Sequence, residues 1–169
     1  MCSSDNRTDA PSPTAPSSPT TGATIATDAA LLQLVTQAEP FGSYSLFPNA
    51  EAINRDASSA HRPADRVRMN ARAFTALQNG RLPPGTQFPD GSVIFKEILT
   101  SNGATTTLYS IMYKEADNPL AANGWVWAEL NPTGTAAYSI NNRGAACTSC
   151  HSSGQGPVND FVRTFERQR

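Results

Sequence analysis

The sequence predicts an α+β fold, a small antiparallel β-sheet flanked by helices, and three observations carry that reading. Asn102-Gly103 lies between two β-rich runs, SVIFKEILT and ATTTLYSIMYK, and Asn-Gly so flanked is among the strongest short hairpin signals. GWVWAEL follows as a third strand, where alternation puts Trp125 and Trp127 on one face. Segments beginning at Asp28, Pro63 and Pro157 instead carry apolar residues at helical spacing.

Taken in order, residues 1–27 contrast with the rest. Met1-Cys2-Ser3-Ser4 and the Pro-, Ser-, Thr- and Ala-rich stretch behind it have no apolar periodicity and read as a disordered linker. The folded domain is expected over 28–169. Cys2 heads the linker as the lipid-modified first residue of a mature bacterial lipoprotein would, and such a tether reaches roughly 25–30 Å. Asp28 suits an N-cap for a helix bearing Leu31, Leu32 and Val35, with Pro40 beyond its end. Residues 40–62 read as loop anchored by Phe41, Tyr44, Leu46 and Phe47. Pro63 can open a second helix striped by Val67, Ala71, Phe74 and Leu77, with Gly80 past its end. Arg66, Arg68 and Arg72 then form a solvated basic flank.

PPGTQFPDG is turn chemistry ahead of the hairpin. With Asn102 and Gly103 as loop residues, Ser101 faces Ala104, Ile98 faces Thr107, Lys96 faces Tyr109 and Ile94 faces Ile111. Ile94, Lys96 and Ile98 share one face. A lysine between two isoleucines means either a solvated edge or a pocket built for the amine. Pro157 begins a final helix with a stripe of Val158, Phe161, Val162 and Phe165.

Composition narrows the function classes. At 169 residues the chain can enclose a cofactor, and a net charge of −1 gives no electrostatic case for nucleic acid. No run of 18 apolar residues occurs, so no helix is expected to span a bilayer. Two of the three cysteines fall in Cys147-Thr148-Ser149-Cys150-His151. This CxxCH spacing is that of a c-type haem attachment site. Each thiol can add across one haem vinyl group, and the following imidazole is then held under the iron as an axial ligand. A zinc site would want a second cysteine pair, and a thioredoxin-like pair would want a βαβ context; neither is in the sequence. Covalent haem attachment implies export to the periplasm. No signal peptide opens the sequence, as expected of a chain that begins after processing.

The sixth iron position separates an electron carrier from a ligand-binding haem. His61, among Ser, Ala, Arg and Pro, reads as exposed, and Met69 and Met112 read as core residues. A five-coordinate iron, or one with a weak exogenous ligand, is therefore expected. One arginine of the 66–72 segment pairing with a haem propionate is the alternative to the solvated flank.

CTSCH near the C-terminus, the GWVWAEL strand and FPDGSVIFKE opening a hairpin together resemble the cytochrome P-460 and cytochrome c′-beta family. The likeness covers roughly residues 40–169 and more loosely the 28–38 helix. It implies a β-rich homodimer with one haem c, a histidine ligand and an open distal side. In the P-460 branch a strand lysine is bonded to the macrocycle and the protein oxidises hydroxylamine; Lys96 occupies that position here, and Lys114 is a weaker candidate. In the c′-beta branch the bond is absent and an apolar distal pocket binds nitric oxide. Phe88 and Phe95 are candidates for such a cap, with core packing the plainer role for both. An oxidoreductase would need a proton-moving group, for which Glu97, Glu129 and Asn142 lie in suitable segments, and a redox partner such as another cytochrome. A plain electron carrier is the third reading.

Overall fold

Six strands run antiparallel in simple chain order: β1 (Ser45–Leu46), β2 (Ala64–Met69), β3 (Val93–Leu99), β4 (Thr106–Lys114), β5 (Trp125–Leu130) and β6 (Ala136–Tyr138). This is a computed structural model, and it describes residues 24–169; the expected linker and Cys2 lie outside the described residues. Three short helices accompany the sheet: α1 (Asp28–Gln33, continuing through a wider turn over Leu34–Ala38), α2 (Ala71–Thr75) and α3 (Thr148–His151). The class is α+β, as the hairpin and tryptophan strands predict. Among the described residues no helix is long and apolar enough to cross a membrane.

Alternation divides the sheet into two faces. On one, Val93, Phe95, Tyr109, Ile111, Val126, Ala128 and Leu130 pack under Leu31 and Val35 of α1. On the other, Val67, Met69, Ile94, Met112, Trp125 and Trp127 pack against Phe88, Val162 and Phe165. The cap of α1 is Thr27, whose hydroxyl accepts from Ala30 N at 3.1 Å. Asp28, the expected cap, instead accepts from Ile140 N at 2.8 Å and ties the helix to the segment behind β6.

The expected helix from Pro63 is mostly strand. Residues 64–69 pair with β3 from Ala64↔Leu99 to Met69↔Ile94. Their period of two places Asp65, Val67 and Met69 on one face and Arg66 and Arg68 on the other. The basic flank therefore faces a partner: both guanidiniums reach Glu97, at 3.4 and 3.3 Å. Only Ala71–Thr75 is helical, capped by Asn70, whose side-chain oxygen accepts from both Ala73 N and Val93 N.

The hairpin is where expected but its core register is shifted by one. Leu99↔Thr106 keeps the expected pairing, then a bulge at Ile98/Leu99 moves Lys96 opposite Ser110 and Ile94 opposite Met112. An added residue in one strand of an antiparallel pair has this effect. The final helix is also corrected. Asp160 and Phe161 take left-handed φ of 49° and 66°, which leaves two 3-10 turns, Pro157–Asn159 and Arg163–Arg167. Val158 accordingly points to solvent while Val162 and Phe165 are buried.

Candidate haem site

The Cys147–His151 segment is one helical turn seated against Trp127. Gly144 makes that approach workable: its φ is 68°, and a Cβ there would stand 2.6 Å from Trp127 Cδ1. Its carbonyl accepts from Cys147 N and Thr148 N and so starts the turn. The His151 ring then packs edge-on to Trp127, centroids 4.8 Å apart. Gly156 brings the following loop back over the turn, since a Cβ on it would overlap His151 O at 1.8 Å.

The two ring nitrogens of His151 have different jobs. Nδ1 lies 2.6 Å from the Phe161 carbonyl, and a carbonyl only accepts, so Nδ1 carries the proton and Nε2 the lone pair. Burial, opposed by the bond to Phe161, pushes the imidazole pKa down to about 4. The ring is neutral at physiological pH, the form that ligates a metal. Cys147 and Cys150 are free thiols, half-buried and exposed respectively. Burial first, then Glu129 and Cys150, push the Cys147 pKa up to about 11, opposite in direction to the depressed thiol of a disulfide oxidoreductase.

Cavities of about 180, 20 and 410 Å³ flank His151. The largest falls in the range of about 300–1,000 Å³ usual for ligand and cofactor pockets. Lys96 lines it, and also the smallest, alongside Ile94, Ser110 and Met112. β3 is internal to the sheet, so the solvated-edge alternative for Lys96 does not hold. Among the described residues its amine makes no ion pair or hydrogen bond, and desolvation lowers its pKa to about 8.

His61, expected to be exposed, lines all three cavities and stands 3.3 Å from Glu129 through Nδ1. Both side chains are largely buried, at 18% and 13% exposure. Glu129 is thus the one sequence-predicted carboxylate that reaches the His151 cavities. Glu97 projects from the other face toward Arg66, Arg68 and Thr106, and Asn142 is exposed on a 3-10 turn away from them. The phenylalanine candidates are core residues. Phe95 stacks on Phe41 behind the sheet, and Phe88 packs on Trp125 and Phe165. Met69 is fully buried, whereas Met112 reaches the smallest cavity.

Sequence reasoning puts His61 in solvent and misses Asp160 and Arg163. Arg163, rather than Arg66 or Arg68, borders the site, bonded to Glu166 and to the Cys150 carbonyl. Asp160 is buried and takes both carboxylate oxygens to Lys114 at 2.8 Å. Lys114 is thereby committed to an ion pair and lies outside the cavities around His151.

Two thiols, a neutral imidazole with an open Nε2 and an adjoining cleft that combines apolar walls such as Ile111 and Trp127 with the cations Lys96 and Arg163 fit a covalently held haem. Among the described residues no three His, Cys, Asp or Glu side chains converge on a metal ion, so the porphyrin would supply the remaining ligands. Fold and site together define a c-type cytochrome built on a β-sheet rather than on a helical bundle. The family model Cytochrome P460 matches residues 47–164, more than half of the chain. The chain belongs to that family and is a haem c protein with iron. A search of curated proteins found no match.

Proposed function

We propose that the protein is a periplasmic haem c oxidoreductase acting on hydroxylamine or a similarly small nitrogen compound. Cys147 and Cys150 would hold the haem through thioethers, and His151 Nε2, left with its lone pair by the Nδ1 bond to Phe161, would ligate its iron. When bound, the haem supplies a redox-active iron with a position for a small ligand. The observation that carries the reading is that Lys96 and His151 line the same cavities on one sheet face. A lysine made less basic there holds a larger share of neutral amine, the nucleophilic form that could bond to an oxidised porphyrin edge.

Glu129, oriented by His61, is the group proposed to take protons from the substrate. Electrons would leave to a partner cytochrome. A homodimer follows from the resemblance, and membrane tethering through a lipidated Cys2 remains part of the proposal. The placement of Phe88 and Phe95 in the core removes those two rings as the cap that a nitric oxide carrier would use.

Intact mass and the visible spectrum of ferrous protein test this, for wild type and Lys96→Leu. A wild-type Soret band strongly red-shifted, returning to that of ordinary high-spin haem c in the variant, is expected. An ordinary wild-type spectrum that the substitution leaves unchanged would make nitric oxide binding the better reading.

A further inference from the structure

We propose that Lys114, Asp160 and Trp125 form a buried clamp that sets the donor strength of His151 through the Phe161 carbonyl. The proposal rests on His151 being the axial ligand. Lys114 and Asp160 are each 2% exposed, and every polar atom of Asp160 outside its own N–H is used. Its carboxylate oxygens both take Lys114 Nζ at 2.8 Å, Oδ2 also accepts from Phe88 N at 2.9 Å, and its carbonyl accepts Trp125 Nε1–H at 2.9 Å. Lys114 Nζ lies in turn 5.0 Å over the Trp125 ring.

Burying an ion pair is often no better for stability than packing apolar residues of like volume. This pair does something apolar residues would not. Asp160 and Phe161 are consecutive left-handed residues, a costly geometry for non-glycine residues that persists only where the surroundings over-determine it. The clamp supplies that determination from three directions: β4, β5 and the loop before β3. The double turn then swings the Phe161 carbonyl back onto His151 Nδ1, ten residues earlier, at 2.6 Å. Phe161 N closes the loop on Gly156 O. The acceptor of the ligand's proton is therefore fixed from the sheet as well as from the helical turn that carries the ligand.

A short bond from Nδ1–H to a fixed, half-buried carbonyl gives the imidazole more anionic character and raises its basicity toward a metal. Stronger donation favours ferric over ferrous iron. Weakening the clamp should lower the iron–histidine stretching frequency and raise the share of ferrous haem at a set potential.

The test uses the haem-loaded protein, at equal haem content and well below its unfolding temperature. Resonance Raman of the ferrous form and a redox titration are read for wild type, Lys114→Met and Trp125→Phe, with His151→Gly as reference. Expected are loss of the iron–histidine band in His151→Gly and a downshifted band in the two clamp variants. The ferrous-to-ferric ratio should rise about three- to tenfold, tenfold being about 59 mV for one electron. If Lys114→Met fails to fold, Trp125→Phe, which keeps an aromatic ring in place, leaves the Lys114–Asp160 pair intact and removes the N–H donor, decides alone. A band that His151→Gly abolishes but the clamp variants leave unmoved would overturn the clamp and spare the ligand assignment. A band that persists in His151→Gly would overturn both.

Discussion

The sheet face that carries the candidate haem site has two ends, each with a lysine, and the ends are built on different principles. At the Lys114 end the charged groups are paired, the amine with Asp160 and Asp160 with Phe88 N and Trp125, and the aromatic rings pack on one another. At the Lys96 end the amine makes no bond among the described residues and opens into cavities shared with His61 and His151. Lys114 Nζ, over the Trp125 ring and against a carboxylate, is a structural cation. Lys96 is left less basic than an ordinary lysine, because its desolvation is only partly offset by the charges of Asp65 and Glu129. A closed, satisfied cluster fixes geometry; an unsatisfied amine beside a cavity is available for chemistry.

The largest effect is expected from breaking the closed end. Lys114→Met leaves the Asp160 carboxylate buried without its partner, for which about 3–5 kcal/mol of stability should be lost. Urea unfolding would show a lower midpoint at an unchanged slope. A loss below about 1 kcal/mol would mean that the pair is relaxed or hydrated, and the contrast between the two ends would collapse.

Lys96 should respond in the opposite sense. Its folded pKa is about 8 against an ordinary 10.5, so between those values the unfolded chain holds a proton the folded one has released. Stability therefore rises with pH across that window, and below about 8 the protein bears the full penalty of a desolvated ammonium. On haem-free protein, where the amine is free to titrate, Lys96→Met should gain about 1–3 kcal/mol at pH 7. The gain should fade as pH approaches 10.5. Equal stability curves for the two proteins would place Lys96 in water.

What sequence patterns reveal here depends on range. Asn102-Gly103 and the alternating tryptophans are local signals, and the strands they mark are in place. The register was off by one because nothing in Ile98-Leu99 marks a bulge. The Ala64–Met69 strand was masked because Val67, Ala71, Phe74 and Leu77 fit a helical period by coincidence, while pairing with β3 decided the matter. The CTSCH segment was legible as a unit because its chemistry is contiguous. The partners of His151 were not. Phe161 supplies only a backbone carbonyl, Asp160 finds Lys114 at a separation of 46 residues, and His61 finds Glu129 across the fold.

The smallest effect on stability comes from two glutamates that sequence alone leaves equivalent. Glu97 and Glu129 both lie on central strands, but parity sends them to opposite faces. Glu97 meets Arg66, Arg68 and Thr106 on the face away from His151, whereas Glu129 meets His61 at the cavity that His151 lines. Gln keeps the shape and most hydrogen bonds of Glu while removing its charge and its capacity as a base. Glu97→Gln should therefore cost about 1 kcal/mol, from weakened charge-assisted bonds, and leave both the haem spectrum and turnover unchanged. Glu129→Gln should leave the fold intact and lower hydroxylamine turnover by about 10²-fold or more, the usual contribution of a positioned base. Steady-state rates with an artificial electron acceptor, read beside unfolding midpoints, distinguish the two. If Glu97→Gln alone slowed turnover, the proton path would run through the far face and the assignment of Glu129 would be wrong.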